Sequence, residues 1–331
     1  TFTVPDTIEG WADALGVLLS SYFSTRQPFP EYAGATVQFD YTQIRPKGRS
    51  ISSGMGRAPG PEPLRRSLEM IRGLLDKRLA EGHTRLRSVD AYDILMHASD
   101  AVLSGGVRRS ATICLFSPED EGMATAKTGN WFTENPQRAR SNNSAVLLRN
   151  QTPREQFTKL MKSVKEFGEP GFVWTDHLDM TFNPCGEIGL YPQIDGVSGF
   201  AFCNLCEINM GCVDNKEKFE AACRAAAILG TLQADYTDFG YLGEVSTRIA
   251  KREALLGISM TGMMENPDVA FDADLQREMA ALILEVNAQV AKRIGINPAA
   301  RTTCVKPAGT TSSILGTSSG IHPHHAKRYF R

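Results

Sequence analysis

The chain has 331 residues, of which 42% are hydrophobic, and its 36 basic and 37 acidic side chains leave a formal net charge of −1. This length is sufficient for one large α/β domain or two smaller ones. The even charge balance excludes a chain-wide electrostatic surface for nucleic acid or for membranes, so we expect neither as a partner.

Predicted helices and strands alternate along the chain. Asp6 is the predicted N-cap of the first helix, and Thr152 lies at the predicted start of a later one. Helices are predicted over residues 7–23, 62–80, 89–104, 153–167, 215–232, 243–264 and 272–294. Strands are predicted over residues 35–39, 111–116, 145–148 and 171–175, with a polar excursion over 117–142. This alternation favours parallel βα units over a sandwich.

The hexapeptide Asn183–Ile188 places a carboxamide, a thiol and a carboxylate close together. In an extended segment, residues i, i+2 and i+4 point to the same side. Asn183, Cys185 and Glu187 have this spacing, which predicts that one short loop presents all three to a single ligand. The alternative is a buried loop cysteine beside a solvated glutamate, since an unpaired cysteine often behaves as a small hydrophobe.

A run of small and hydroxylated residues, Gly309–Ser313, precedes an apolar pair. Backbone N–H groups at a helix start, aided by Thr and Ser hydroxyls, bind phosphate, and the alternative is a loop with an ordinary helix cap. The Gly-x4-Gly-Lys pattern of a P-loop is missing from the sequence. Three histidines follow, and we predict a surface or pocket-rim turn there rather than a metal site: His322, His324 and His325.

Seven cysteines are spread over the chain, four of them between residues 185 and 212. An odd number in a chain of this size argues against a secreted disulfide framework and favours a reducing cytosol. Cys203, Cys206 and Cys212, with Cys185 or Cys223, are an alternative thiolate site for zinc or an iron–sulfur cluster. Because the spacings are irregular, we expect no metal. We expect the thiols without an assigned role to be buried and unreactive: Cys206, Cys212, Cys223 and Cys304.

The apolar runs and the first residues of the chain indicate where in the cell the protein is expected. No apolar run is long enough to span a membrane, and the first residues have neither the basic nor the apolar part of a signal peptide, which predicts a cytoplasmic protein. The sequence begins without Met. We therefore expect it to be a piece of a longer polypeptide.

Several segments resemble, in their order and separations, the catalytic barrel of ribonucleotide reductases. Besides the hexapeptide, they are 202–209 (FCNLCEIN), 305–313 (VKPAGTTSS) and 320–323 (GIHP). Further segments make the chain look most like the adenosylcobalamin-dependent (class II) ribonucleoside-triphosphate reductases: 44–48, 54–63, 105–111 and 141–144. The resemblance runs from about residue 35 to the last residue.

The resemblance implies an α/β fold, specifically the ten-stranded reductase barrel of two five-stranded parallel halves with a central finger loop. On that expectation residues 1–331 are the central part of the barrel domain, incomplete at both ends. About 1–34 is a helical lead-in, 35–180 the first half with the specificity loop, and 181–331 the finger loop and second half.

The resemblance also implies a role for each residue of the hexapeptide. Cys185 carries the thiyl radical that removes the 3′-hydrogen of the ribose. Glu187 is the general base for the 3′-hydroxyl, and Asn183 hydrogen-bonds the substrate hydroxyls. A general base must lie within hydrogen-bond reach of its proton, which their spacing allows.

Cys203 matches the second redox cysteine of the family. Its usual partner lies on a first strand that we expect upstream of Thr1, and a cysteine pair that takes electrons from thioredoxin is expected beyond Arg331. We expect no thiol of this chain to replace that partner, and sustained turnover of the chain by itself would point to Cys206 or Cys114 as the substitute.

The resemblance assigns substrate-phosphate binding to seven consecutive residues: Lys306, Pro307, Ala308, Gly309, Thr310, Thr311 and Ser312. It assigns substrate contact and the specificity loop, which reports the effector to the substrate base, to a second set: Arg108, Arg109, Ser110, Arg140, Ser141, Asn142 and Asn143. For the two arginines that follow Gly105 and Gly106, the alternative is a solvent-exposed pair that binds no ligand. The implied cofactor is adenosylcobalamin with its cobalt, and the implied effector is a dNTP or ATP. The implied partners are a ribonucleoside triphosphate, thioredoxin or a similar dithiol, and other pieces of the same enzyme.

Together these assignments predict reduction of ribonucleoside triphosphates to deoxyribonucleoside triphosphates for DNA precursor synthesis. Within the family, the alternative is a class I-type ribonucleoside-diphosphate reductase large subunit that draws its radical from a separate metal-carrying protein. Outside it, the alternatives are a nucleotide-binding fragment incompetent for turnover and a thiolate metal protein.

Overall fold

The computed structural model describes residues 1–51, 56–102 and 111–328. They form two units, Thr1–Leu178 and Asp179–Arg331. Arg108, Arg109 and Ser110 lie outside the described residues, as does part of the loop over 54–63. Within the described ranges, no helix combines the length and apolar character needed to cross a membrane.

The first unit combines helices with short parallel ladders. Its described helices are α1 (Ile8–Tyr22), α2 (Glu62–Ala80), α3 (Ser88–Val102), α4 (Glu121–Ala124), α5 (Trp131–Glu134) and α6 (Arg154–Phe167). Its described strands are β1 (Phe2–Thr3), β2 (Phe39–Asp40), β3 (Thr112–Phe116), β4 (Ser141–Leu148) and β5 (Gly171–Thr175). β1 pairs with β2, and β4 lies between β3 and β5, all in parallel. The strand predicted over 35–39 is wrong in extent, because its partner β1 offers only two residues.

The start of α1 differs from its predicted cap. Thr7, not Asp6, caps the helix, since its Oγ1 accepts the N–H of Gly10 at 2.9 Å. The Asp6 carboxylate instead accepts a hydrogen bond from Arg45 Nε at 2.5 Å. This ion pair ties the predicted motif over 44–48 to the first helix. Both residue types cap helices well, so the local sequence alone does not choose between them.

A buried charge pair joins α3 to the turn that leads into β4. Arg138 donates to both carboxylate oxygens of Asp93, with Nε–Oδ1 and Nη2–Oδ2 distances of 2.8 and 2.6 Å, and to the Ala126 carbonyl at 2.7 Å. Gln137 Nε2 donates to the same carboxylate at 2.9 Å. Asp93 is only 5% exposed. Four hydrogen bonds therefore fix the segment that precedes the predicted specificity residues.

We expect Asp93→Ala to destabilise the first unit by about 3–5 kcal/mol, the usual cost of leaving one member of a buried ion pair without its partner. Denaturant unfolding followed by circular dichroism measures the change. Glu121→Ala is the control, because Glu121 pairs with Lys159 on an exposed surface and its loss is expected to have a much smaller effect. Equal midpoints for the two variants would show that Arg138 is hydrated in the folded protein.

The second unit contains two hairpins, a parallel ladder and its covering helices. Its described helices are α7 (Lys216–Ala234), α8 (Glu244–Glu253), α9 (Pro267–Ala270), α10 (Ala273–Ile294) and α11 (Thr310–Leu315). Its described strands are β6 (Thr181–Phe182), β7 (Gly189–Leu190), β8 (Gln193–Ile194), β9 (Val197–Ser198), β10 (Asn204–Asn209) and β11 (Leu256–Thr261). β6 pairs with β7 and β8 with β9 in antiparallel fashion, whereas β10 and β11 are parallel.

The helix predicted over 243–264 is wrong in its second half. α8 ends at Glu253, Ala254 takes a left-handed φ of 40°, and the chain continues as β11. Four consecutive residues of β11, 256–259, are buried. In β11, Leu, Ile and Met alternate with Gly, Ser and Thr, and both sets are largely buried, so the segment lacks the exposed charged residues that normally distinguish a half-buried strand.

The predicted α/β class is confirmed. α7 and α8 lie between β10 and β11 in the chain, and α7 and α10 pack over this ladder in one hydrophobic core that includes Phe219, Leu256 and Ile283. The ladders found in the described parts of the chain do not close into a barrel. The ten-stranded arrangement with its finger loop stays a prediction.

Candidate active site

The predicted catalytic hexapeptide forms the turn of the β6–β7 hairpin, not an extended strand. The Asn183 carbonyl accepts the Gly186 N–H at 2.8 Å, and Asn183 N–H donates to the Ile188 carbonyl at 3.2 Å. Gly186 has a φ of +84°, in the left-handed region that favours glycine. The prediction that strand alternation aligns the three side chains is therefore wrong. The turn brings Asn183 and Glu187 together at its base and leaves Cys185 exposed.

Asn183 is held in one orientation toward Glu187. Its Nδ2 donates to Glu187 Oε1 at 2.7 Å, while its Oδ1 accepts the Ile188 N–H at 2.9 Å. The amide therefore spans the base of the turn and directs its NH2 group at the carboxylate.

Lys306 joins the thiol to the carboxylate. Its Nζ lies 3.0 Å from Glu187 Oε1 and 3.4 Å from Cys185 Sγ. Burial opposes the ammonium charge, but the hydrogen bond and the negative charge of Glu187, together with Cys185, outweigh it and raise the pKa of Lys306. Sequence reasoning placed Lys306 among the phosphate ligands and missed this contact, because 121 residues separate it from Cys185.

The second carboxylate oxygen of Glu187, unlike the first, accepts no hydrogen bond from the described residues. This oxygen, Oε2, is buried. A buried acceptor without a partner costs about 1–3 kcal/mol, so such atoms are uncommon outside functional sites. Glu187 therefore has one oxygen that is held by Asn183 and Lys306 and one that is free to accept a proton.

The edge of β11 positions Lys306. Thr303 forms a parallel bridge with Ile258, and the Cys304 N–H donates to the Ile258 carbonyl at 3.0 Å. The Lys306 N–H then donates to Ser259 Oγ at 3.1 Å, and Ser259 is buried. Residues 303–306 therefore extend the sheet beside β11, and Lys306, at the end of this extension, contacts the hairpin that carries Cys185.

The other predicted phosphate-binding residues surround the start of α11. Ala308 is buried, and the buried Ser312 donates its hydroxyl to the Ala308 carbonyl at 2.7 Å, so neither side chain is open to a phosphate. The open members of the set are Pro307, Gly309, Thr310 and Thr311. Phosphate binding by these residues stays a prediction.

A second carboxylate near Lys306 was missed by sequence reasoning. Burial raises the pKa of Glu207 on β10, and the charge of Lys306 and a hydrogen bond with Thr311 offset part of this effect. Its Oε2 is buried and lacks a hydrogen-bond partner in the described part of the chain. The signal available in the sequence was its position inside the reductase-like segment 202–209.

The thiols differ from one another in exposure. Cys223 is buried, as predicted, whereas Cys212 is exposed and Cys206 and Cys304 are half-buried, so that prediction is wrong for three of the four. Burial raises the pKa of Cys203 to about 12 and that of Cys304 to about 11. Both are therefore protonated thiols at neutral pH.

The described specificity residues belong to the first unit. Ser141, Asn142 and Asn143 open the central strand β4 and pair with β3, so the strand begins before its predicted start at residue 145. Ser141 and Asn143 are buried, and Arg140 Nε donates to Asp100 at 2.7 Å. The specificity role of these residues stays a prediction.

The side chains that could bind a metal ion are spread over the described parts of the chain. Within those ranges no three of these side chains are grouped to hold a metal ion. His324 Nε2 instead lies 3.0 Å from Glu265 Oε1. The alternative of a thiolate metal site has no geometric support from the described cysteines.

Comparison with known proteins identifies relatives along nearly the whole chain. The family described as "B12-dependent ribonucleotide reductase, insertion domain" matches residues 1–75. The adenosylcobalamin-dependent ribonucleoside-triphosphate reductase of Lacticaseibacillus paracasei is 28% identical over 98% of this chain and 47% of its own length. The enzyme of the same name from Lactobacillus leichmannii is 27% identical with the same coverage. The chain thus spans about half the length of these relatives.

Solved structures agree with the sequence relatives. A crystal structure of a B12-dependent (class II) ribonucleotide reductase matches 98% of this chain and 48% of that chain, with a TM-score of 0.73 and 25% identity. The class Id ribonucleotide reductase alpha subunit of Actinobacillus ureae, at 15% identity and a TM-score of 0.53, shares the fold. The resemblance predicted from the motifs is therefore confirmed: the chain is similar along nearly its whole length to adenosylcobalamin-dependent ribonucleoside-triphosphate reductases and to a class II ribonucleotide reductase structure.

Proposed function

We propose that the protein containing this chain reduces ribonucleoside triphosphates to 2′-deoxyribonucleoside triphosphates by thiyl-radical chemistry and so supplies DNA precursors. The observation that carries the proposal is the cluster in which Asn183 and Lys306 hold one oxygen of Glu187 beside the Cys185 thiol. A thiol, a base and a positioned amide are the groups that this reaction requires. The names of the sequence relatives support a triphosphate substrate.

Each group has one task in the proposed reaction. Cys185, as a thiyl radical, takes the 3′-hydrogen of the ribose as a hydrogen atom. Glu187 accepts the 3′-hydroxyl proton on its unpartnered Oε2, and the neighbouring 2′-hydroxyl leaves as water. A dithiol that includes Cys203 supplies two electrons and two protons, one to the departing hydroxyl and one as the new hydrogen on C2′, and becomes a disulfide. Glu187 then returns its proton to the 3′-oxygen, and Cys185 returns its hydrogen atom to C3′ and is again a thiyl radical. Lys306 holds one oxygen of Glu187 in an ion pair, and its flexible stem allows the ammonium to turn toward the substrate phosphates.

Adenosylcobalamin fits the arrangement of the thiol. Cys185 is exposed at the tip of its hairpin, so its sulfur is open to a radical source outside the second unit. When bound, the cofactor supplies the radical that takes the hydrogen from this thiol. The chain positions the sulfur through the turn and the Lys306 contact.

The remaining assignments rest on the motif resemblance. We propose a dNTP or ATP effector read by the specificity residues, thioredoxin or a similar dithiol as reductant, and a cytoplasmic location. The parallel ladders of this chain would then belong to a ten-stranded barrel completed by other parts of the same enzyme.

The test uses the complete enzyme that contains this chain. With adenosylcobalamin, CTP or ATP and a dithiol, we expect the corresponding deoxynucleoside triphosphate, detected by chromatography. Dependence on a separate metal-carrying protein, with CDP as substrate, would instead support the class I-type alternative. Nucleotide binding without product would support a turnover-incompetent protein.

For the 331-residue chain by itself, we expect no sustained reduction of CTP or ATP with adenosylcobalamin and dithiothreitol. A small dithiol reduces an active-site disulfide but does not replace the sulfur that the resemblance places on an upstream strand. The measurement is product formed per chain over many equivalents of substrate. More than one deoxynucleotide per chain would contradict this expectation and would show that a thiol of this chain acts as the partner of Cys203.

A further inference from the structure

Two thiols of the second unit meet over a glycine. The position that a Cβ atom would take on Gly257 lies 2.6 Å from Cys203 Sγ and 3.3 Å from Cys304 Sγ. The two sulfurs are therefore separated by at most about 6 Å, the total of these distances. Cys203 immediately precedes β10, and Cys304 follows the bridge on the other side of β11, so the sulfurs approach each other across the middle strand. The missing side chain of Gly257 leaves the space between them.

The other described thiols of this unit are directed elsewhere. Cys206 Sγ lies 3.5 Å from the position of a Cβ on Gly230 in α7, and Cys206 packs against the core of the unit. Cys223 is 1% exposed within that core, and Asn209 Nδ2 lies 3.6 Å from the sulfur of the exposed Cys212. These contacts distinguish Cys304 as the thiol that shares the Gly257 position with Cys203.

We propose that Cys203 and Cys304 are a redox-active dithiol that closes to an intramolecular disulfide in the presence of a small disulfide oxidant. One protein thiolate attacks a sulfur of the oxidant, which breaks the oxidant's S–S bond, forms a mixed disulfide and releases one small thiol. The second protein thiolate then attacks the protein sulfur of this mixed disulfide, forms the intramolecular S–S bond and releases the second small thiol. The protein loses two electrons and two protons, and the oxidant gains them. The disulfide does not depend on the function proposed above, in which the partner of Cys203 lies on an upstream strand.

The geometry and burial of the pair set its expected behaviour. A disulfide requires a sulfur–sulfur distance of about 2.05 Å, so closure needs side-chain rotation and some backbone adjustment. A bond formed under such constraint is more easily reduced than a structural disulfide. Because the pKa of both thiols is raised, the attacking thiolate is scarce at neutral pH. The rate of closure should rise by about tenfold per pH unit between pH 7 and 10.

The test exposes the folded chain to oxidised glutathione, blocks the remaining thiols with an alkylating agent and maps the products by mass spectrometry. Chymotrypsin cuts after Phe202 and Leu205, which places Cys203 and Cys206 in different peptides. We expect a linked pair of peptides that contain Cys203 and Cys304, with the loss of two hydrogen atoms from the intact mass. Dithiothreitol should restore both thiols.

Three variants separate this pairing from general thiol oxidation. Gly257→Ala keeps both cysteines but places a methyl group between the sulfurs, so the yield of the link should fall at least about tenfold. Cys304→Ser should leave Cys203 as a mixed disulfide with glutathione, and Cys206→Ser should leave the link unchanged. A link from Cys203 to any other cysteine, or only mixed disulfides in the original sequence, would overturn the proposal. If Gly257→Ala does not fold, the two serine variants decide the question.

Discussion

Replacement of Cys185 by serine should lower turnover of the complete enzyme by more than about a thousandfold, because loss of an essential radical residue costs far more than loss of a positioning group. Serine preserves the shape of the turn and an acceptor for Lys306, which lies 3.4 Å from the sulfur. Its O–H bond is too strong to yield the radical at accessible energy. Nucleotide binding should therefore stay nearly unchanged, since the exposed position contributes little to packing.

The measurement pairs deoxynucleotide formation with cofactor homolysis and nucleotide binding. Cys212→Ser is the matched control, because Cys212 is also an exposed cysteine of the second unit but lies outside the cluster around Glu187. It should retain turnover. Residual activity of Cys185→Ser above about a thousandth of the original would exclude Cys185 as the hydrogen-abstracting residue.

Glu187→Gln should lower kcat by about two to four orders of magnitude, the usual contribution of a general base. Glutamine still accepts a hydrogen bond from Asn183, but it cannot take up the 3′-hydroxyl proton and no longer forms the 3.0 Å ion pair with Lys306. Asn183→Ala should cost less, because it removes a hydrogen bond that orients the carboxylate and leaves the base in place.

Glu207→Gln is the control for charge alone, since Glu207 is the other half-buried carboxylate near Lys306. Its effect on kcat should be much smaller than that of Glu187→Gln. The separation of kcat from KM is the informative measurement. Changes confined to KM in both the Glu187 and the Asn183 variants would mean that the hairpin only binds substrate, and the assignment of a general base would be wrong.

Local patterns in the sequence were sufficient for most of the long helices of this protein and for three strands of its first unit. The helices predicted over 62–80 and 272–294 match α2 and α10 closely, and the strand predicted over 171–175 matches β5. These segments have either a helical apolar face or a short β-rich run between turn residues, which are signals carried by neighbouring residues. The order of the motifs also indicated the reductase relationship before any tertiary contact was known.

Where the local sequence was compatible with two structures, tertiary contacts determined which one formed. Asp6 and Thr7 are both suitable caps, and the pairing of Asp6 with Arg45 left the cap to Thr7. The run from 256 to 261 has no charged residue, and its pairing with β10 makes it a strand. Burial on both faces removes the exposed polar side from which a half-buried strand is normally recognised.

The sequence by itself determined which residue types lie close together in the hexapeptide, namely a thiol, a carboxylate and an amide. Only the tertiary structure decided how they meet. A tight turn, not strand alternation, joins Asn183 to Glu187, and Lys306 reaches both Glu187 and Cys185 from 121 residues beyond the cysteine. The approach of Cys304 to Cys203 likewise depends on the strand between them. Contacts of this kind arise when segments that are distant in sequence pack side by side. The spacing of residues along the chain does not tell how close such segments lie in space.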